Sequence, residues 1–167
     1  MSTLTLGTFF GGNSEVFRTV LAGLANENVE VVVTVGADND PAAIDPAPAN
    51  ARVERYVPQG ALLPRCSAVI HHGGAGTMYG SLAHGLPQVA LPQGADNFVN
   101  GCLLSRCGAG LTIVPEQLTP AAVRDAVRSV LTEPSYRDTA RNLAEELAAL
   151  PEPKEVAWRL RDRFGGG

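Results

Sequence analysis

Six short runs of β-branched and aliphatic residues, separated by stretches with helical patterning, constrain this chain more than any other feature. They are Leu4 to Leu6, Val29 to Val35, Val53 to Val57, Ala68 to Ile70, Gln88 to Leu91 and Leu111 to Val114. Val31-Val32-Val33 is continuously apolar instead of alternating, the pattern of a strand covered on both faces. Helices are predicted over Ser14 to Ala25, Thr77 to Ala83, Asn97 to Arg106, Pro120 to Leu131 and Ser135 to Leu150. Thr119-Pro120 supplies an N-cap and a first-turn proline, and Glu133-Pro134 separates the last two helices. Strands alternating with helices predict an α/β fold, a Rossmann-like doubly wound parallel sheet of about six strands. Ligands of such sheets sit at the carboxyl ends of the strands. The Pro-, Asp- and Ala-rich stretch Ala37 to Asn50 reads as a surface loop, and residues 1–167 read as one domain without internal repeats.

Composition narrows the function classes. With 45% hydrophobic and 18% charged residues over 167 positions, the chain can bury a full core and is neither disordered nor membrane-spanning. No apolar run approaches the ~18 residues of a membrane helix, and the N-terminus lacks the basic start of a signal peptide. Cys66, Cys102 and Cys107 have neither an even count nor a CxxC spacing, so reduced thiols and a cytoplasmic location are expected, with no zinc site. A net charge of −4 without a basic cluster argues against nucleic-acid and anionic-membrane partners.

The chemistry concentrates where the run Ala68-Val69-Ile70 breaks into His71-His72-Gly73-Gly74-Ala75-Gly76-Thr77. A buried strand that turns on glycines into a helix exposes the helix's first N–H groups, and those groups favour an anion. Thr77 adds a hydroxyl and His72 an imidazole, which makes a phosphate cradle. His71, one residue away on a strand, should face the opposite side and act structurally. The structural alternatives are a satisfied strand-end histidine for His72, a strand aromatic for Tyr56, a turn residue for Thr8 and the cap of the helix at Asn97 for Asp96. Gly74-x-Gly76-x-x-x-Gly80 also loosely matches a dinucleotide fingerprint, but histidines stand where its first glycines belong and Asp96 falls past the next strand. Asp38-Asn39-Asp40 spells a metal-binding DxD, yet its Pro-rich setting reads as a solvated loop.

Three segments together carry a resemblance: Leu6-Gly7-Thr8, Arg55-Tyr56-Val57-Pro58-Gln59, and the block from His71 through Gly85-Leu86-Pro87 to Pro92-Gln93-Gly94-Ala95-Asp96-Asn97. From Thr5 to about Leu160 the chain resembles the C-terminal, donor-binding half of the GT-B glycosyltransferases that decorate natural products, bacterial relatives of the UDP-glycosyltransferases. The resemblance implies that Tyr56 stacks on the nucleotide base, Val57 meets the base edge and Gln59 the ribose. It places Thr8, His72, Gly74, Ala75, Gly76 and Thr77 on the diphosphate, and Asp96 and Asn97 on hydroxyls of the donor sugar. The implied reaction moves a sugar, deoxysugars included, from TDP or UDP to a small-molecule aglycone with inversion and without a metal or other cofactor. His72 and Thr77 would stabilise the leaving diphosphate.

Two positions depart from the pattern. Gly80 stands where many UDP-sugar enzymes carry a glutamate for the ribose hydroxyls, which favours a thymidine donor, and Asn97 stands where glutamine is commoner. The half that carries the acceptor pocket and the catalytic base in relatives has no counterpart here, so no catalytic residue is expected in this chain. An N-terminal acceptor domain or subunit is the implied partner. A stand-alone nucleotide-sugar-binding module is the alternative, a GT-B-shaped epimerase a third reading, and exposed strand ends leave room for a homodimer.

Overall fold

The computed structural model describes residues 2–6, 14–37 and 39–164, with backbone only for 2–6. Among the described residues six strands form one sheet: β1 (Ser2–Leu6), β2 (Val29–Thr34), β3 (Ala51–Glu54), β4 (Ala68–His71), β5 (Gln88–Ala90) and β6 (Gly110–Thr112). Their order is β3-β2-β1-β4-β5-β6, and every pairing is parallel. The order reverses between β1 and β4, which makes their carboxyl ends the topological switch point.

Helices cover both faces, as the uninterrupted burial of Val31, Val32 and Val33 requires. On one face lie α1 (Ser14–Leu24) and α5 (Pro120–Thr132). The i, i+3, i+4 spacing of Val16, Phe17, Val20, Leu21 and Leu24 turns one stripe of α1 onto Val29, Val31, Val33 and Ile70. Full burial of each such side chain contributes about 1.5–3 kcal/mol. On the other face, α3 (Ala75–Ala83), α4 (Asn97–Cys107) and α6 (Pro134–Ala148) meet around Met78, Leu82, Ala90, Leu104 and Ala140. Thr119 caps α5 by accepting from the Ala122 N–H at 3.1 Å, with Pro120 opening the first turn.

The structure corrects some sequence boundaries. The third strand lies at Ala51–Glu54 instead of residues 53–57, because β2 pairs with it only from Val31 to Thr34. Tyr56 and Val57 therefore leave the sheet, and Val57 precedes a proline that disfavours helix at its own position. A short helix α2 (Gln59–Leu62) follows, unforeseen in the sequence. So does α7 (Pro153–Phe164), every residue of which is exposed; Val156, Leu160 and Phe164 recur along it at i, i+4 and i+8 without forming a buried stripe.

Candidate functional site

The glycine turn leaves the sheet at the end of β4, at the switch point. Helix α3 begins at Ala75, two residues earlier than the sequence reading, so Ala75, Gly76 and Thr77 form its first turn. Gly74 is the N-cap, in extended conformation, and among the described residues no side chain caps this end. The first-turn N–H groups and the positive end of the helix dipole are thus available to an anion. The His72 ring lies against Gly74: a Cβ at position 74 would collide with Nε2, with Cε1 2.9 Å away. Only glycine lets that imidazole lean across the helix start.

Gly73 adopts φ +90°, and a Cβ there would meet the Asn97 carbonyl oxygen at 2.8 Å. This close approach seats the start of α4 against the turn. Asn100 strengthens the seam by donating through Nδ2 to the Gly73 carbonyl at 2.9 Å and to Asp96 Oδ2 at 3.0 Å. Asp96 stands at the N-cap position of α4, but its side chain makes no capping bond. Its carboxylate is exposed and oriented by Asn100 instead. Asn97, which the resemblance assigns to a sugar hydroxyl, is 1% exposed, with Nδ2 lacking a hydrogen-bond partner among the described residues. As folded here it packs under Gly73, where a Cβ on the glycine would stand 3.2 Å from Asn97 Cβ.

His71 is fully buried, in line with its structural assignment. Its Nδ1 accepts the Gly73 N–H at 2.9 Å, and its Nε2 lies 2.8 Å from Gln88 Oε1. Burial pushes its pKa from the usual 6.5 down to about 4, against the opposing hydrogen bond to Gln88, so the ring is neutral at pH 7. His84 is the C-cap of α3, at the far end of the helix from the turn.

The second segment converges on the same helix. Gln59 Nε2 donates to Thr77 Oγ1 at 3.0 Å, and Gln59 Oε1 stands 3.8 Å from where a Gly80 Cβ would be. Tyr56, 68% exposed, and the half-buried Val57 lie three and two residues before this contact. Tyr56, Val57, Gln59, His72 and the residues 74–77 are thus arranged along the carboxyl edge of the sheet with Asp96. Thr8, and with it the segment Gly7-Thr8, lies outside the described residues, as does Asp38. Asn39 Nδ2 donates to the Val35 carbonyl at 2.8 Å, and Asp40 Oδ1 accepts from the Ala42 N–H at 3.1 Å, so both build the loop. Among the described residues no three His, Cys, Asp or Glu side chains converge on a point that would hold a metal, and no helix is long and apolar enough to cross a membrane.

Sequence reasoning missed Gln88 and Asn100. Neither belongs to a glycine motif; the signal for Gln88 was a polar residue opening an otherwise apolar strand, and Asn100 falls at i+4 from Asp96. The glycine turn follows β4 and not β1, where a dinucleotide fingerprint would sit, which removes the dinucleotide reading.

The strand order, with a glycine turn at the switch point, defines a Rossmann-type α/β domain. Over residues 18–162 the chain matches the family described as erythromycin biosynthesis protein CIII-like, C-terminal domain. It is 40% identical over 161 residues to 10-deoxymethynolide desosaminyltransferase of Streptomyces venezuelae, covering 94% of this chain and 38% of that protein. It is 35% identical over 156 residues to erythronolide mycarosyltransferase of Saccharopolyspora erythraea, covering 93% and 37% respectively. The crystal structure of the glycosyltransferase VinC in complex with DTDP superimposes with a TM-score of 0.87 at 29% identity, over 100% of this chain and 42% of that one. The chain therefore belongs to the erythromycin biosynthesis protein CIII-like C-terminal domain family, and it spans about two fifths of the length of the relatives it matches.

Proposed function

We propose that this chain is the donor-binding half of an inverting, metal-independent glycosyltransferase that moves a deoxysugar from TDP, or a sugar from UDP, to a small natural-product aglycone. The observation that carries the reading is the start of α3: an N-terminus with no side-chain cap among the described residues, the His72 imidazole against Gly74, and Thr77 in the first turn. Its relatives support it: the names of two specify transfer of desosamine and mycarose, and the VinC structure holds DTDP.

The diphosphate is placed on the N–H groups of Ala75, Gly76 and Thr77, with His72 beside the β-phosphate. The base lies on Tyr56, and Gln59 bridges the ribose to Thr77. Gly80 offers no carboxylate to ribose hydroxyls, which favours thymidine. Asp96 faces the donor sugar. The acceptor oxygen attacks C1 as the bond from C1 to the β-phosphate oxygen breaks. That electron pair stays on the diphosphate, and the acceptor proton passes to a base from the part of the relatives' length that this chain does not span. Fixed donors aimed at the developing charge do the work assigned to these residues, and losing one such donor typically costs about 10²–10³ in rate.

Titration calorimetry with thymidine diphosphate tests the reading. Binding is expected to be the same with and without EDTA, and affinity that collapses on chelation contradicts the metal-independent assignment. Tyr56→Ala should weaken binding by about 1–3 kcal/mol, the range for base–aromatic stacking. Tyr56→Phe should bind like the parent; if it is as weak as the alanine variant, the hydroxyl and not the ring face makes the contact.

A further inference from the structure

The buried polar side chains among the described residues are His71, Ser81, Gln88 and Asn97, and all four gather around α3 and the turn that precedes it. A core built for stability alone has no use for them, since buried polar groups cost free energy unless every one is paired. Ser81 is accounted for within α3, donating to the Thr77 carbonyl at 2.7 Å. His71 and Gln88 are different, because they tie three separate elements together.

The register explains how they meet. His71 pairs with Ala90 across β4 and β5, and Gln88 lies two residues before Ala90 on the same face, the face that α3 covers. Only one arrangement of protons satisfies the contacts. The Gly73 N–H can only donate, so His71 Nδ1 must carry a bare lone pair and the ring proton sits on Nε2. The Nε2–H then donates to Gln88 Oε1, which turns the Gln88 amide nitrogen toward the Met78 carbonyl, 3.3 Å away. Strand β5, strand β4, the turn and the first half of α3 are joined by one chain of bonds with a defined direction.

We infer that His71 and Gln88 are a buried positioning pair that sets the phosphate turn, engaging the Gly73 N–H so that the first-turn N–H groups of α3 are held at a fixed angle for a diphosphate. Both side chains are fully buried, so neither touches the ligand; they act through Gly73. The pair also explains the +90° φ of Gly73, since that conformation is where its N–H meets Nδ1 while its carbonyl meets Asn100. The inference rests on the diphosphate reading of the turn given above.

Calorimetry on the full chain with two probes, thymidine diphosphate and thymidine, separates positioning from general destabilisation. His71→Leu and Gln88→Leu are each expected to lose at least tenfold in affinity for the diphosphate and to stay within twofold for the nucleoside. His71→Asn, whose Oδ1 stands near the position of Nδ1, is expected to recover most of the loss. An equal fall for both probes, or an unchanged diphosphate affinity, overturns the inference. So does a long-range proton–nitrogen spectrum of the parent chain that places the His71 proton on Nδ1, a measurement that needs no variant to fold. A parent chain that binds no diphosphate at all brings down the functional reading and this inference with it, and that result is distinct from the others.

Discussion

Gly73→Ala is expected to lower stability by about 2–5 kcal/mol and to take diphosphate binding with it. An alanine at φ +90° is strained by about 1–2 kcal/mol. Its Cβ would also stand 2.8 Å from the Asn97 carbonyl oxygen and 3.2 Å from Asn97 Cβ. The first of these atoms is backbone at the start of α4, so relief requires moving a helix and not rotating a side chain. Overpacking of this kind costs about 1–3 kcal/mol. Moving α4 also breaks the Asn100 bond to the Gly73 carbonyl, which aligns Asp96. Urea unfolding checks the first part and calorimetry with thymidine diphosphate the second. A change under about 0.5 kcal/mol, the size of an ordinary surface substitution, would mean that the turn relaxes freely and that its geometry is not specified.

Acid should destabilise the fold through His71, well before most carboxylates titrate. The unfolded chain takes up a proton on this ring as pH falls through 6.5, whereas the folded chain resists until about 4. Between those values the unfolded state binds more protons, so stability rises with pH there and is lost on acidification. The fall from 6.5 to about 4 corresponds to about 3 kcal/mol at 1.36 kcal/mol per pH unit, of which about 2 kcal/mol is lost between pH 7 and pH 5. The physical cause is desolvation of a ring whose Nδ1 is already committed as an acceptor, with His72 as the neighbouring titratable group. Unfolding free energies of the parent chain and of His71→Asn at pH 7 and pH 5 provide the check. The variant should lose most of this dependence; equal slopes would assign the acid sensitivity to other groups.

The fold was legible because its signals are local. Val31-Val32-Val33 shows two-sided burial in its unbroken valines, and Thr119-Pro120 marks a helix start that the structure places at Pro120. The glycine turn was legible for the same reason, since Gly73 and Gly74 answer to backbone angle and to a ring lying on the chain. What escaped depends on contacts between distant positions. The third strand is bounded by how far β2 runs beside it, which no property of Ala51 to Val57 reveals. Gln88 matters because parallel pairing sets it diagonally from His71, and Asn100 because α4 lies on Gly73. Asp96 and Asn97 are adjacent, yet Asp96 reaches solvent while the first turn of α4 draws Asn97 inward, a difference their order in the chain does not show.

The central claim is that the start of α3 holds a diphosphate, and amide chemical-shift mapping during a titration with thymidine diphosphate in EDTA tests it most directly. The largest perturbations are expected at the amides of Ala75, Gly76 and Thr77 and at the His72 ring, with a smaller set around Tyr56 and Val57. In His72→Ala the same amides should respond at a higher ligand concentration, reflecting a loss of about 1–3 kcal/mol. Saturable binding that leaves residues 74–77 unmoved and shifts another surface would contradict the assignment of this turn as the phosphate site.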